Sequence, residues 1–335
     1  MRRILALPAM ALAGGFARMV ESRARPMERA RPRPEVKRDL LVINGEVFQP
    51  GYAEAELDLN GIKTFFCEIE DIAFSVETGC TRVYETVGGR DLADFGLIQV
   101  ASYPRPTATM LSSISVYLQH KNRFPINAGA ISAPTKLYQL MVLAQNDLPV
   151  PPTRYLHQRL LKNSFTELAD QLGIPFVLKA MNSSGGRLNY LIRTETDILR
   201  CTLDPAHTKV QFLAQQYIEN NGVFRILILG GEAPIIMHRC NTDGTHLANT
   251  EQGGHATLFE PETFDSDVID MAAAATKLMG CDVAGVNVVQ DRLTRRWHLL
   301  EVSSSPAIGS GAFAAEKTRA YSAYLRSKIG PDAAP

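Results

Sequence analysis

The segment FVLKAMNSSGGR, residues 176–187, joins a short apolar strand to a loop of small residues. Lys179 stands in the strand just before the loop, and Arg187 ends the loop. Small residues let backbone N–H groups approach an anion closely, and the two cations supply charge to pair with it. The segment therefore predicts a phosphate-binding loop, although it matches neither the Walker A pattern nor G-x-G-x-x-G. An ordinary hairpin turn is the alternative interpretation, because such turns are rich in glycine.

A second basic feature follows downstream, on two apolar strands joined by a turn at Gly230-Gly231. Arg225 lies on the first strand and Arg239 on the second, and their separation centres the hairpin on Glu232. We therefore expect the two arginines to lie nearly opposite each other, although the sequence does not fix their face. Guanidinium groups hold phosphoryl oxygens with paired hydrogen bonds. With Asn249 downstream, the pair predicts a phosphate clamp, and the alternative is that both arginines lie on a solvated face.

A third feature is a pair of apolar segments, AGVNVV at 284–289 and LLEVSSSP at 299–306, which we predict to be neighbouring strands. Residues two apart on a strand share a face, so Glu301 and Ser303 point together toward the side that Asn287 faces. Oxygen ligands from two strands, one of them a carboxylate, suit Mg²⁺ held largely by the phosphates of a nucleotide. The pattern therefore predicts a metal site, which Mn²⁺ would also fit.

The rest of the chain alternates short apolar strands with helical stretches, which is typical of an α/β or α+β enzyme. The run LPVPPT at residues 148–153 excludes a helix and marks a linker. We predict a flexible Arg/Pro-rich leader over 1–38, an N-terminal α/β domain over 39–133, and a larger domain over 134–330 that divides into 134–218 and 219–330.

Composition excludes several classes of protein. The 35 basic and 35 acidic residues balance, so the whole molecule carries no field that would attract nucleic acid or an acidic membrane. Only the leader is basic, with ten Arg and Lys residues against three Glu. Its start resembles a weak signal peptide, and an export signal, a transit peptide, an anionic-surface tether and an unstructured extension all stay open. Five widely spaced cysteines argue against a disulfide framework, and we expect reduced, buried thiols in a cytoplasmic protein.

These motifs, in this order, resemble the RimK-like branch of the ATP-grasp ligases from about Lys136 to Ile308. The resemblance implies an ATP-grasp fold, in which two α+β subdomains grip ATP, preceded by a smaller α/β domain. It also assigns roles. The residues implied to bind ATP are Lys136, Lys179, Ser184, Gly185, Gly186, Arg187, Gln215, Gln216, Tyr217, Ile218 and Asn249. The residues implied to be catalytic are Arg225 and Arg239, and the residues implied to hold the metal are Glu301, Asn287 and Ser303.

The reaction implied by this resemblance joins a carboxylate to an amine. ATP converts the carboxylate into an acyl phosphate, and the amine then displaces phosphate to give an amide or peptide bond. Lys179, Arg225 and Arg239 would offset the charge of the phosphates together with Mg²⁺. The implied partners are ATP, a carboxylate donor and an amine acceptor, which is a free amino acid, a small amine, or a peptide or protein side chain.

The sequence departs from the family pattern chiefly at the metal. Asn287 stands where the family has Asp, and Ser303 stands where it has Asn, so Glu301 alone carries charge toward a cation. Gln216 replaces the usual Glu of the hinge, the Asp expected before Arg225 is missing, and Leu247 replaces an expected Arg. We therefore expect weak metal binding. A nucleotide-binding protein that has lost turnover and acts as a sensor or partner subunit is the alternative hypothesis.

Overall fold

The computed structural model describes residues 39–43, 63–100, 108–129, 135–181, 183, 186–240 and 255–329. Its strands are β1 (Asp39–Ile43), β2 (Lys63–Cys67), β3 (Ile72–Glu77), β4 (Cys80–Glu85), β5 (Leu97–Val100), β6 (Thr153–Tyr155), β7 (Phe176–Ala180), β8 (Asn189–Ile192), β9 (Phe212–Gln216), β10 (Val223–Leu229), β11 (Glu232–Cys240), β12 (His255–Phe259), β13 (Val283–Gln290) and β14 (Trp297–Ser303). Its α-helices are α1 (Ala108–His120), α2 (Lys136–Gln145), α3 (Gln158–Leu161), α4 (Phe165–Leu172), α5 (Glu195–Leu203), α6 (Ser266–Leu278) and α7 (Ala314–Ile329). The predicted mixture of α/β and α+β structure is confirmed.

The N-terminal part is built on a parallel sheet with the order β2-β1-β5. All five residues of β1 are buried, which explains why its sequence, DLLVI, is almost continuously apolar. The antiparallel hairpin β3–β4 and the helix α1 pack on one side of this sheet, through Ile72, Val83 and Leu111.

The central part forms a four-stranded antiparallel sheet with the order β6-β9-β7-β8. The short strand β6 follows the predicted proline linker, and α4 and α5 pack on the sheet through Leu168, Leu172 and Ile198. Strands β7 and β8 are antiparallel neighbours with Lys179 opposite Asn189, so the chain reverses direction between these two residues.

The C-terminal part forms a five-stranded antiparallel sheet with the order β12-β11-β10-β13-β14. The helix α6 covers one face through apolar residues such as Ala272 and Ala275. The helix α7 packs against β10 through Tyr321 and Leu325, in a core that also includes Leu40 of β1. The N-terminal sheet and the C-terminal sheet therefore share buried apolar contacts.

A buried asparagine joins the same two parts by hydrogen bonds. Asn127 is 3% exposed, and its Oδ1 accepts from the backbone N–H groups of Asp282 and Val283, both at 2.8 Å. Its Nδ2 donates to the carbonyls of Val283 and Ser304, at 2.8 and 3.0 Å. All four hydrogen-bonding positions of the amide are used, so this link fixes the ends of β13 and β14.

The structure corrects several sequence expectations. Strand β3, strand β12, and the helices α3 and α5 were not predicted. Cys80 is exposed, so the expectation that all five thiols are buried is wrong, whereas the five cysteines are all free as expected. The leader over 1–38 lies outside the described residues, and the predicted domain boundaries stay predictions. No helix in the described ranges is long and apolar enough to cross a membrane.

Candidate active site

Lys179 is held at the end of β7 by a chain of hydrogen bonds across the central sheet. Its Nζ donates to Gln215 Oε1 at 2.7 Å, and Gln215 Nε2 donates to Thr153 Oγ1 at 2.9 Å. Thr153 Oγ1 in turn donates to the carbonyl of Pro151 at 2.8 Å. Burial lowers the pKa of Lys179 to about 8; the charge of Glu301 opposes this shift, and that of Lys136 adds to it. The side chain of Gln215 therefore orients a cation without neutralising it.

The loop after Lys179 is closed by its own hydrogen bonds. Ser183 Oγ donates to the carbonyl of Arg187 at 2.7 Å, and Gly186 adopts a φ of +72°, a conformation that favours glycine. Arg187 is exposed. Ser184 and Gly185, which were also predicted to bind ATP, lie outside the described residues. The described part of the loop therefore turns tightly beside Lys179, as the sequence predicted.

Lys136 links this loop to the C-terminal sheet. It lies in the first turn of α2, whose N-cap is Thr135, with the Thr135 side chain accepting from the Tyr138 N–H. Lys136 Nζ donates to the carbonyl of Ser183 and lies 3.5 Å from Glu301 Oε1. One lysine thus contacts both the loop and β14.

Arg225 and Arg239 converge on one amide oxygen. Arg225 Nη1 and Arg239 Nη2 each donate to Asn287 Oδ1 at 3.0 Å. The strand register explains this, because Arg225 lies opposite Asn287, and Asn287 lies opposite Glu301. Burial lowers the pKa of Arg225, and the charge of Glu301 opposes that shift. We call Arg225, Arg239 and Asn287 the guanidinium clamp.

The register of the arginine hairpin differs from the expectation: each arginine pairs with a residue two positions away from the expected partner. A two-residue turn at Gly230-Gly231, followed by a register shift between Leu227 and Leu229, places Arg225 opposite Met237, and Arg239 opposite Val223. The predicted centre at Glu232 is therefore wrong, and the two arginines are diagonal neighbours. Both arginines are half-buried and bond to the same oxygen, so the alternative that both lie on a solvated face is also wrong.

Gly285 makes room for Arg225. A Cβ atom at Gly285 would lie 2.5 Å from both Cζ and Nη2 of Arg225, far inside van der Waals contact. The glycine has no unusual backbone conformation, so its function here is steric. Sequence analysis did not single it out, although a glycine within an apolar strand is a signal of close approach.

The predicted hinge, residues 215–218, begins in the last two residues of β9. The backbone N–H of Gln216 donates to the carbonyl of Pro152 at 2.9 Å, and the carbonyl of Ile218 accepts from Asn220 Nδ2 at 2.7 Å. Tyr217 lies between them and is partly buried. Adenine recognition by residues 215–218 stays a prediction, as does the role of Asn249, which lies outside the described residues.

The three predicted metal ligands do not fit a metal ion held by the protein. Glu301 is the one carboxylate among them, and Lys136 already lies beside it. The Asn287 oxygen accepts from two guanidinium groups, and Ser303 Oγ donates to the carbonyl of Ser305 at 3.0 Å. Within the described ranges, no group of three or more His, Cys, Asp or Glu residues is arranged to hold a metal. Mg²⁺ held by the phosphates of a nucleotide stays a prediction.

Sequence analysis missed one buried cation. Lys317 on α7 is 3% exposed, and its Nζ donates to the carbonyls of Ala307 and Ser310 at 2.7 and 2.6 Å. Its pKa is lowered to about 8, mainly by burial and to a smaller extent by the positive charges of Arg225 and Arg239. The signal was in the sequence, because Lys317 lies four residues before Tyr321 on the apolar stripe of α7.

Comparison with known proteins identifies the family. The RimK-like ATP-grasp domain matches residues 133–317, more than half of the 335 residues. The chain belongs to the RimK-like ATP-grasp family. The resemblance drawn from the motifs is thereby confirmed, and the chain is a member of a family of ligases that form C–N bonds.

Two curated relatives show how far the RimK-like match extends. Probable alpha-L-glutamate ligase 2 of Hahella chejuensis is 30% identical over 177 residues, which is 52% of this chain and 55% of that protein. Alpha-aminoadipate--LysW ligase LysX of Sulfurisphaera tokodaii is 28% identical over 231 residues, which is 67% of this chain and 77% of that protein. The chain thus spans about half of the first relative and about three quarters of the second.

Solved structures confirm the ATP-grasp fold. The ATP-grasp ligase PsnB complexed with minimal precursor, Mg and ADP is 14% identical, with a TM-score of 0.64, covering 90% of this chain and 100% of that one. The D-cycloserine synthetase DcsG is 18% identical, with a TM-score of 0.57, covering 86% and 99%. At these identities the likeness supports the fold alone.

Proposed function

We propose that this protein is an ATP-dependent carboxylate–amine ligase that works through an acyl phosphate. The observation that carries the proposal is the convergence of cations from separate elements around Glu301. Lys136 lies 3.5 Å from the Glu301 carboxylate. The negative charge of Glu301 also raises the pKa of both Lys179 and Arg225. These cations come from α2, β7 and β10, so the fold gathers them at one place. Buried positive charge of this kind suits the phosphates of ATP.

The first step would transfer the γ-phosphoryl group. A carboxylate oxygen of the donor attacks the γ-phosphorus, the bond from that phosphorus to the bridging oxygen breaks, and ADP leaves with the electron pair. Lys179 and Arg225 would offset the charge that accumulates on the phosphoryl oxygens. Gln215 would keep the Lys179 ammonium pointed toward the site, because the Gln215 Oε1 accepts a hydrogen bond from that group.

The second step would form the amide. The amine nitrogen attacks the acyl carbon, the bond from that carbon to the phosphate oxygen breaks, and inorganic phosphate leaves while the nitrogen loses a proton. The guanidinium clamp would hold the departing phosphate. No nucleophilic side chain of the protein is required for either step.

The curated relatives narrow the first substrates to test. Their names include L-glutamate and alpha-aminoadipate, which are both amino dicarboxylic acids. We would incubate the full chain and ATP with each of these acids, singly and with a panel of amines, amino acids and peptides. Release of ADP and phosphate, together with a product mass equal to the two substrates minus water, is the expected result. Arg225→Met serves as the inactive control.

A second candidate is a nucleotide-binding protein without turnover. The observation that favours it is the Asn287 oxygen, which is occupied by two arginines where a ligase of this family would hold a metal. This candidate predicts that ATP binds but that no substrate pair releases ADP. Product formation by the parent protein would exclude it.

A further inference from the structure

The guanidinium clamp uses one neutral oxygen to hold two cations from different strands. Arg225 on β10 and Arg239 on β11 both donate to Asn287 Oδ1 at 3.0 Å. An amide oxygen has two lone pairs, so two N–H donors use its accepting capacity. The oxygen is therefore committed to the arginines, and it is not available to a metal ion.

The local charge also disfavours a divalent cation. The Lys136 ammonium lies 3.5 Å from the Glu301 carboxylate. Glu301 is the residue paired with Asn287 on the neighbouring strand. The charges of Arg225 and Arg239 also reach Lys317 on α7, where they help to lower its pKa. A metal ion at the predicted position would meet these cations, and Glu301 is the one carboxylate among its three predicted ligands.

The same arrangement suits an anion. A carboxylate at position 287 would neutralise part of the charge of the two arginines, whereas the amide orients them and leaves both charges intact. Gly285 allows the Arg225 guanidinium to lie directly over the strand beside Asn287. The two guanidinium groups are thus pre-oriented by a neutral oxygen, which adds no negative charge beside them.

We propose that Asn287 is a positioning residue that joins Arg225 and Arg239 into one anion clamp, and that this clamp binds nucleotide phosphates without a divalent metal. The inference rests on the proposed function only in requiring that a nucleotide binds at this site. It holds equally for a ligase and for a protein without turnover.

The test is titration calorimetry on the full chain, with ADP and with inorganic tripolyphosphate, in Mg²⁺ and in EDTA. We expect Kd values that agree within about 3-fold in the two conditions. Binding that weakens 10-fold or more in EDTA would overturn the metal-free clamp and leave the ligase proposal standing. Absence of binding in both conditions would overturn this inference together with nucleotide binding itself.

Two variants test the role of Asn287. Asn287→Asp should weaken tripolyphosphate binding in EDTA by about 10-fold or more, because its carboxylate competes for both guanidinium groups, and Mg²⁺ should recover part of the loss. Asn287→Leu removes the acceptor at similar size, and it should weaken binding in both conditions. Unchanged affinity of Asn287→Asp in EDTA would overturn the positioning role. Asn163→Asp, an exposed change of the same charge in the turn after α3, is the matched control, and thermal melts check folding.

Discussion

In the central sheet, Lys179 donates to Gln215, which is itself held by Thr153; in the C-terminal sheet, Arg225 and Arg239 both donate to Asn287. Each sheet therefore orients its cations with a neutral amide oxygen. The support behind the two amides differs. Gln215 is 2% exposed, and its oxygen and nitrogen are both hydrogen bonded, whereas the Asn287 oxygen serves two donors from two strands.

This difference shows how a site can direct positive charge without cancelling it. An ionised partner orients a cation strongly but neutralises it, as Glu301 does beside Lys136. A neutral amide gives direction alone. The central sheet fixes one flexible lysine through two side chains, Gln215 and Thr153, whereas in the C-terminal sheet two stiffer guanidinium groups share the Asn287 oxygen.

Removal of one guanidinium group from the C-terminal sheet is expected to have the largest effect on activity. In Arg225→Met, the clamp loses one guanidinium, and Asn287 keeps only Arg239. We expect the rate of ADP release with substrate to fall ~10²–10³-fold, the usual cost of removing a preorganised charge from a reacting phosphate. Steady-state assays of ADP release measure this, with calorimetry for nucleotide affinity.

Arg319→Met is the matched control for that loss, because Arg319 is exposed on α7. It should keep the parent rate within about 2-fold, since exposed charges contribute little. A parent-like rate in Arg225→Met would mean that the guanidinium does not meet the reacting phosphate.

Conversion of the central amide to a carboxylate tests whether neutrality matters in both sheets. Gln215→Glu places a carboxylate beside Lys179, which should raise the pKa of the lysine and neutralise it as a phosphate ligand. We expect tripolyphosphate affinity to fall about 10-fold at pH 7. Gln211→Glu, an exposed change just before β9, should have no such effect. Equal affinity in the two variants would show that Lys179 does not face the phosphates.

The two sheets should also differ in their response to pH. The pKa of Lys179 is lowered to about 8, so the parent should lose ADP affinity as pH rises through 8 and the ammonium loses its proton. Lys179→Arg keeps the charge, and its affinity should be less sensitive to pH between 7.5 and 9.5. A smaller change near pH 8 should persist, because the pKa of Lys317 is also lowered to about 8. An identical pH profile in parent and variant would contradict the assignment.

Folding stability gives an independent check with the opposite sign. The folded pKa of Lys179 lies below its ordinary value of 10.5, so between these values the unfolded chain binds more protons than the folded chain. The contribution of Lys179 to the free energy of unfolding therefore rises with pH across this window, and it is lost as pH falls through 8. ADP affinity should therefore fall over the same pH range in which the contribution of Lys179 to the free energy of unfolding rises.

Much of the site followed from strand patterns in the sequence. The apolar segments around Lys179, Asn287 and Glu301 form β7, β13 and β14 near the expected bounds, because alternation along a strand fixes which residues share a face. Register across the sheet was harder to predict. The turn at Gly230-Gly231 and a bulge between Leu227 and Leu229 together place Arg225 opposite Met237, two residues from the expected partner Arg239.

Contacts between distant segments were not predictable from local pattern. Gln215 was expected at the hinge, but its link to Lys179 depends on which strands of the sheet are neighbours. Lys317 is a buried lysine on a helix, although lysines on helices are ordinarily exposed. Asn127 lies in a loop, where no periodicity shows that its amide bonds the ends of β13 and β14.

The smallest expected effect tests the geometry of the clamp alone. Gly285→Ala adds one methyl group 2.5 Å from the Arg225 guanidinium, and the flexible arginine must move away. Because the guanidinium is the far end of a side chain and the glycine backbone is ordinary, the melting temperature should change little. ADP affinity should fall about 3-fold to 10-fold. In an Arg225→Met background the same substitution should have no further effect, since the group that it displaces is gone. Additive losses in the double variant would show that Gly285 acts through the strand itself and not through Arg225.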